Sequence, residues 1–212
     1  MSQIKLKHSG GNSSIIAAPS SNPASDVTFR LPNADGSAGQ FMKTDGSGNL
    51  AFAAVSAGIT MADTWIIDSN FSTSGGEAYI TSNWKRHSTG RTAAGVIGSA
   101  MTESSGVFTF PTTGMYLITT SFSGASAGNY FGIKTRATTD NYSSSEFSIC
   151  LSYVSTSSAS QYYEVTAQAI FDVTNVSTHK VKFKYESHES GTVNGHSQDK
   201  RSGVTFIRIG DT

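Results

Sequence analysis

The chain has 212 residues, with 15 basic and 15 acidic side chains, so its formal net charge is zero. Charged residues make up only 14% of the chain, against about 25% in typical soluble domains. A chain without net charge has no electrostatic attraction to nucleic acid or to an anionic membrane, so we expect neither partner. Low charge suits short strands with polar turns, and subunits that bury much of their surface in an assembly.

Cysteine content and the lengths of the apolar runs exclude further classes of protein. Cys150 is the only cysteine, which excludes a disulfide-stapled scaffold. It lies in the apolar run 147–154, which predicts a buried, unreactive thiol. The first residues, MSQIKLKHSGG, contain no apolar stretch, so we expect no secretory signal. No apolar run approaches the roughly 20 residues of a membrane helix, so we expect no membrane insertion.

Residues 1–58 differ in composition from the rest of the chain. They hold three of the four prolines, and their apolar residues come in short bursts such as Ile15-Ile16 and residues 27–31. Turn clusters such as Asp45-Gly46-Ser47-Gly48 separate the bursts. A disordered linker is one interpretation, but a solvated linker does not require these clusters of apolar residues. We therefore predict extended segments that become ordered against neighbouring molecules.

One part of this region resembles a known segment. Residues 31–52 have the sequence LPNADGSAGQFMKTDGSGNLAF. It resembles a segment of bacteriophage tail-fibre and related virion proteins, with the skeleton LP, G-x-x-G-Q, an apolar pair, T-D-G-x-G-x-L and an aromatic residue. Residues 4–12 and 16–19 resemble the segments that precede it in marine phage fibres. The resemblance implies that residues 1–58 are a virion anchor and stalk that contacts other virion proteins.

From residue 59 onward the pattern predicts β-structure throughout, with no convincing helical period. Aromatic and branched residues recur at strand spacing between clusters of Gly, Ser, Asn and Asp, which is typical of a sandwich or barrel. About ten strands are predicted, at residues 64–68, 78–84, 96–98, 107–110, 115–122, 130–135, 147–154, 162–171, 181–185 and 204–209.

The segment 106–123, GVFTFPTTGMYLITTSFS, predicts two strands joined by a tight corner. Pro111 lacks the N–H that a continuing strand would use, and Gly114 allows a positive φ. The second strand is apolar on both faces at its start, and such a strand needs cover on both sides. We expect the domain core on one side and another subunit on the other. Tyr116, Ile118 and Phe122 form one face, and Met115 and Leu117 the other.

Two later strands have clear faces. In residues 180–186, Val181, Phe183 and Tyr185 alternate with lysines and a glutamate, which predicts an outer strand with one wet face and a solvated edge. In residues 161–171, one face is apolar and the other mixes hydroxyl, amide and apolar groups. The mixed face suits a subunit contact in which these polar groups are paired.

A second resemblance joins these observations. Residues 106–118 resemble the signature of the C1q-like (TNF-like) jelly roll, G-x-F-T, a small residue, then P-x-x-G-x-Y-x-F; Phe110 and Ile118 depart from it. Residues 202–207 resemble the last strand of such domains, whereas residues 174–177 replace a turn that normally carries Gly-Asp. A phage variant of the fold fits this pattern. The matching residues are Gly106, Phe108, Thr109, Pro111, Gly114 and Tyr116.

The resemblance implies a fold and an assembly. The fold is all-β: a ten-stranded jelly-roll sandwich, residues 59–212, preceded by the extended N-terminal anchor and stalk. The implied assembly is a compact homotrimer, in which aromatic and aliphatic residues line the three-fold axis. A closed ring also protects flat sheet surfaces from aggregation. The candidates for trimer interface or core are Phe108, Phe110, Met115, Tyr116, Leu117, Ile118 and Phe206.

The sequence offers no convincing catalytic or metal site. No G-x-S-x-G, P-loop or H-E-x-x-H motif occurs, and no pair of carboxylates stands out for glycan cleavage. His188, Glu189 and His196 share one polar loop with Asp199, where a metal site and a solvated loop are the alternatives, the loop being favoured. We expect no enzyme activity, no metal and no cofactor.

The loop 135–145 is rich in hydroxyl and amide groups. Arg136, Asp140, Asn141 and Tyr142 are candidates to contact a host glycan or protein, and an ordinary exposed turn is the alternative. The first hypothesis is a trimeric phage fibre, made in the host cytoplasm and located in the virion, whose head contacts the host surface. The second is a capsid-attached fibre or decoration protein, and the third is a soluble lectin-like binding module.

Overall fold

The computed structural model describes residues 3–17, 19–54, 58–87 and 95–212. All regular secondary structure in these residues is β-strand, and the all-β prediction is confirmed. The chain divides into two compact units, Met1–Ala57 and Gly58–Thr212. Within the described residues there is no helix with the length and apolarity to span a membrane.

The N-terminal unit consists of two antiparallel hairpins in its described residues. Strand β1 (Gln3–Lys7) pairs with β2 (Ser13–Ala17), and β3 (Gln40–Thr44) pairs with β4 (Leu50–Ala54). The turn between β3 and β4 is closed by Asp45, whose carboxylate accepts hydrogen bonds from the backbone N–H groups of Ser47 and Asn49 at 2.7 and 3.1 Å.

Many apolar side chains of the N-terminal unit stay exposed. The exposed fraction is 64% for Leu6, 64% for Phe29 and 75% for Leu31. Two hairpins are too small to bury such side chains in a core of their own. The anchor and stalk role of residues 1–58 remains a prediction.

The second unit has thirteen strands among its described residues. Eight of the ten predicted strands are present. The predicted strand 78–84 is divided between a strand that ends at Tyr79 and one that begins at Trp84. The prediction of a strand at 96–98 is wrong: Ile97 forms only an isolated bridge with Ala62, and Gly98 has a positive φ of 64°. The strands that were not predicted have three residues each, too few to show a period. The strands are β5 (Met61–Ile67), β6 (Phe71–Thr73), β7 (Gly76–Tyr79), β8 (Trp84–Arg86), β9 (Thr102–Ser104), β10 (Val107–Thr109), β11 (Gly114–Ser126), β12 (Tyr130–Thr138), β13 (Phe147–Ser155), β14 (Ser158–Val173), β15 (Lys180–Ser187), β16 (Gly191–Val193) and β17 (Gly203–Gly210).

These strands form two antiparallel sheets that enclose one core. The six-stranded sheet has the order β13-β12-β15-β10-β9, and β7 also pairs with β15. The seven-stranded sheet has the order β6-β16-β11-β17-β5-β8, and β14 pairs with the other side of β11. Aromatic rings fill the space between the sheets. Phe108 is fully buried, with ring centroids of Trp84 and Phe183 at 5.0 and 5.4 Å and of Phe206 at 5.4 Å.

The segment 106–123 forms the predicted two strands and corner. Gly114 has a φ of 142°, as predicted. Tyr116 is fully buried, and its hydroxyl donates to the backbone oxygen of Thr112 at 2.8 Å. This bond satisfies the polar end of a buried ring, which explains why a tyrosine stands at this position of the signature. The next residues alternate between the core and the outward face.

The prediction that residues 180–186 form a solvated edge strand is wrong. Strand β15 pairs with β12 on one side and with β10 and β7 on the other. The alternation of polar and apolar residues reports which face is wet, but it carries no information about lateral pairing. The wet face itself is confirmed for Lys182, Lys184 and Glu186. Lys180 departs from it, because its side chain folds back and Nζ donates to the Val176 backbone oxygen at 2.7 Å.

Candidate assembly face and tyrosine face

The outward side of strands β14, β11, β17 and β5 carries exposed and half-buried side chains, and we call it the assembly face. Alternation along each strand sends every second side chain there, while the others enter the core. The members of the assembly face are Ala62, Thr64, Met115, Leu117, Thr119, Ser121, Tyr162, Glu164, Thr166, Gln168, Ile170, Thr205 and Ile207.

An apolar row crosses the assembly face. Leu117 lies opposite Ile170 on one neighbouring strand and opposite Ile207 on the other, and Ile207 lies opposite Ala62. Ile170 is 58% exposed. Four neighbouring strands thus present a continuous apolar line on the outward side of the sheet.

A polar row runs beside the apolar one. Thr119 lies opposite Gln168 and Thr205. The hydroxyl groups of Thr64 and Thr205 are 3.0 Å apart, and Lys200 Nζ donates to the Thr205 hydroxyl at 3.0 Å. Burial lowers the pKa of Lys200. Short hydroxyl and amide side chains beside an apolar row suit a subunit contact, since they can pair with polar groups of a partner.

The seven predicted interface or core residues fall into two groups. Met115 and Leu117 lie on the assembly face, where they can meet another subunit. The other five are at most 1% exposed and belong to the core of this chain; they are Phe108, Phe110, Tyr116, Ile118 and Phe206. Ile207 was not among the candidates, although its alternation with the buried Phe206 is the signal that identifies it.

The outward side of strands β13, β12, β15 and β7 has a different character, with alternating charges and tyrosines. We call it the tyrosine face. The loop that joins β12 to β13 adds Tyr142 and Glu146. The members of the tyrosine face are Glu77, Tyr79, Tyr130, Lys134, Arg136, Tyr142, Glu146, Tyr153, Lys182, Lys184 and Glu186.

Ion pairs hold the centre of the tyrosine face. Lys134 Nζ lies 2.7 Å from Glu77 and 2.6 Å from Glu186, and Lys184 Nζ lies 2.7 Å from Glu77. The hydrogen bonds from Lys134 and Lys184 lower the pKa of Glu77 to about 2. Those that Lys134 donates to Glu186 and Glu77 raise its own pKa. Burial raises the pKa of Glu186, but the bonds from Lys134 and Tyr153 outweigh it, so its pKa is lowered.

The predicted receptor-contact residues lie at one end of this face, and three of them have partners within the chain. Arg136 Nε donates to Glu146 at 3.2 Å, and the Tyr142 hydroxyl donates to the Arg136 backbone oxygen at 3.0 Å. Asp140 accepts from the backbone N–H of Ser144 at 3.1 Å. Asn141 is exposed and has a positive φ of 59°. The first three side chains thus shape the loop, and the receptor contact remains a prediction.

The predicted polar loop near the C-terminus shows two histidine–carboxylate neighbours. His188 Nδ1 lies 3.9 Å from Glu189, and His196 Nδ1 lies 3.2 Å from Asp199. In the part of the chain that the structure describes, no three His, Cys, Asp or Glu residues are grouped so as to hold a metal ion.

Similarity to known proteins is confined to the fold. No family model and no curated protein sequence matches the chain. Eiger TNF from S. frugiperda superimposes with a TM-score of 0.57 at 11% identity, over 73% of this chain and 96% of that one. Murine APRIL gives a TM-score of 0.52 at 10% identity, over 70% and 99%. These likenesses establish a TNF-like jelly roll, and the predicted fold class is confirmed.

A further comparison gives a weaker likeness. The PRD1 vertex protein P5 superimposes with a TM-score of 0.42 at 16% identity, over 72% of this chain and 99% of that one. This score is too low to support a conclusion about fold or function.

Proposed function

We propose that the protein is a non-enzymatic structural protein of a bacteriophage virion, a trimeric fibre whose jelly-roll head contacts the host surface. The observation that carries the proposal is the assembly face, a sheet surface with an apolar row on the side away from the core. Further copies of the same surface are the simplest cover for it, because equivalent apolar and hydroxyl groups of each copy then meet around one symmetry axis.

The three-fold arrangement is supported by the kind of fold. The signature in residues 106–118 resembles the C1q-like and TNF-like jelly roll, which implies a homotrimer, and the head has that fold. In a trimer formed around a three-fold axis, the interface would bury Leu117, Ile170 and Ile207 of each chain. Full burial of an exposed side chain of this size contributes roughly 1.5–3 kcal/mol. Ile170, which is 58% exposed in the single chain, has the most to gain of the three.

The virion location rests on the N-terminal unit. Residues 31–52 resemble phage fibre segments, and their exposed apolar residues, such as Leu31 and Phe41, require cover from another molecule. Other virion proteins would supply that cover. A tail fibre and a capsid-attached fibre or decoration protein share this feature, so the neighbour of residues 1–58 distinguishes them.

The host-contact role rests on the tyrosine face. It lies on the opposite sheet from the assembly face, so it stays accessible when the assembly face is covered. Tyrosines and paired charges on one surface suit recognition of polar ligands. A soluble lectin-like module remains the second candidate function, favoured by the same surface.

Two measurements test the proposal. Light scattering on the purified full chain at micromolar concentration should give three times the chain mass, and a monomer would contradict the trimer. Antibodies against the purified protein should label intact virions of the phage that encodes it, at the tail or at the capsid. Unlabelled virions would contradict the structural role and favour the soluble module.

A further inference from the structure

A cleft of about 350 Å³ lies on the tyrosine face, lined by Tyr130, Tyr153 and Glu186. The three residues come from strands β12, β13 and β15, which are neighbours in the six-stranded sheet. The cleft is therefore built on rigid strands rather than on a loop, and it lies apart from the candidate loop around Asp140.

Gly132 shapes the floor of this cleft. It lies opposite Tyr153 on one neighbouring strand and opposite Glu186 on the other. A Cβ at Gly132 would overlap the ring of Tyr153, so the ring lies over the backbone of β12. From there the Tyr153 hydroxyl donates to Glu186. The ring remains 43% exposed, and it forms an aromatic platform on the sheet.

Tyr130 forms a wall beside this platform. Its ring is inclined at 85° to that of Tyr153, with the ring centroids 5.7 Å apart. Its hydroxyl donates to Glu186 at 3.3 Å, and the ring of His188 lies behind it at 5.8 Å. The two rings make a corner, and the Glu186 carboxylate lies where both hydroxyl groups converge.

The corner offers two kinds of contact side by side. An aromatic platform stacks against the apolar C–H face of a pyranose ring, and a carboxylate accepts hydrogen bonds from sugar hydroxyl groups. The local charges favour a neutral ligand. Glu186 and Glu77 are balanced by Lys134 and Lys184, all joined by the ion pairs described above, so the cleft has no excess charge to attract an anion or a cation.

We propose that this cleft binds a neutral saccharide, with Tyr153 stacking on the sugar ring and Glu186 accepting from one of its hydroxyl groups. The carboxylate already accepts from Tyr130, Tyr153 and Lys134, which leaves one of its roughly four acceptor positions for the sugar. The inference deepens the proposed host contact and rests on it, because it names the class of ligand and the site. Gly132 is a positioning residue, since it keeps the Tyr153 ring on the sheet.

The test is titration of the purified full chain with glucose, galactose, mannose, N-acetylglucosamine and their short neutral oligomers, followed by calorimetry. At least one probe should bind with a dissociation constant in about the millimolar range or tighter, and Tyr153→Ala should weaken it at least about tenfold. Gly132→Ala should weaken binding too, because the new Cβ displaces the ring. Tyr153→Phe should keep most of the affinity.

Leu151→Ala is the matched control. Leu151 is on the same strand, two residues from Tyr153, and is 52% exposed, so its removal should leave sugar binding unchanged. Circular dichroism confirms folding of each variant. If Tyr153→Ala does not fold, two-dimensional NMR of the wild-type chain replaces it, and the Tyr153 ring signals should shift when the sugar is added.

Three results would overturn the assignment: no neutral probe binds, binding is the same in Tyr153→Ala, or the Tyr153 signals do not shift. An adhesion assay of the labelled protein on host cells distinguishes failure of the cleft assignment from failure of the proposed host-contact role. Adhesion that survives Tyr153→Ala would overturn the cleft assignment and leave the host-contact role standing. A wild-type protein that binds sugar in the cleft but does not adhere to host cells would support the cleft assignment and contradict the host-contact role.

Discussion

Arg86 on β8 donates through Nε to both carboxylate oxygens of Asp63 on β5, each at 3.2 Å. The Asp63 side chain is fully buried. Its carboxylate also accepts from the Trp65 indole at 3.0 Å and from the Met101 backbone N–H at 2.9 Å. The guanidinium carbon of Arg86 lies 4.6 Å from the centroid of the Trp65 ring. The buried Asp63 carboxylate is therefore paired with Arg86 and hydrogen-bonded at the border of the core, as a buried charge requires.

Arg86→Ala should lower the free energy of unfolding by about 3–5 kcal/mol, because it leaves the Asp63 carboxylate buried without its counter-charge. Urea denaturation measures the loss. The neighbouring substitution Lys85→Ala is the control, because Lys85 pairs with Asp68 at the surface, with side chains 37% and 42% exposed. That pair should contribute only about 0–1 kcal/mol. Similar losses in the two variants would contradict this account.

Glu77 should make the head acid-sensitive. Hydrogen bonds from Lys134 and Lys184 lower its pKa from 4.5 to about 2, so the folded state favours the charged form. The stabilisation is complete above pH 4.5 and is lost as the pH falls toward 2. Glu77→Gln should melt at a lower temperature than wild type at neutral pH, and the difference should shrink below pH 4.5.

Thermal unfolding at a series of pH values measures this effect. Glu189→Gln is the control, because its side chain is 56% exposed and its loss should leave the profile close to wild type. A difference between wild type and Glu77→Gln that stays constant down to pH 2 would exclude the proposed linkage.

Leu117→Lys should break the trimer while the head stays folded. Leu117 lies in the middle of the apolar row, between Ile170 and Ile207, and three ammonium groups around one axis repel each other and lose water. Light scattering should report a fall from three chain masses to one. Leu151→Lys places the same charge on the opposite sheet and should remain trimeric. A trimeric Leu117→Lys would place the subunit contact elsewhere.

Cys150 should react slowly with thiol reagents in the folded protein. Burial raises the pKa of its thiol, although the bond to Thr135, with Sγ 3.2 Å from the hydroxyl, acts in the opposite direction. A raised pKa leaves less thiolate at neutral pH, and the thiolate is the reactive form. Reaction with a chromogenic disulfide reagent at pH 8 should be at least about tenfold slower in buffer than in urea. Equal rates would show that the thiol is accessible.

The sequence predicted the local features of the head well where one residue pattern has one structural meaning. The alternation in residues 115–122 identified which side chains enter the core, and Gly114 has the positive φ that its corner required. The short strands β6, β9 and β16 escaped prediction, since three residues do not show a period. The assembly face was foreseen through Met115, Leu117 and the mixed face of residues 161–171.

What the sequence by itself determined is the all-β class, the signature in residues 106–118 and the inward or outward direction of the long strands. These follow from periodicity and turn chemistry, which act over a few residues. Only the tertiary structure decided that β15 lies inside its sheet and that Tyr153 crosses Gly132 to reach Glu186. Both depend on pairing between strands far apart in the chain, and no local pattern encodes which strands become neighbours or in which register.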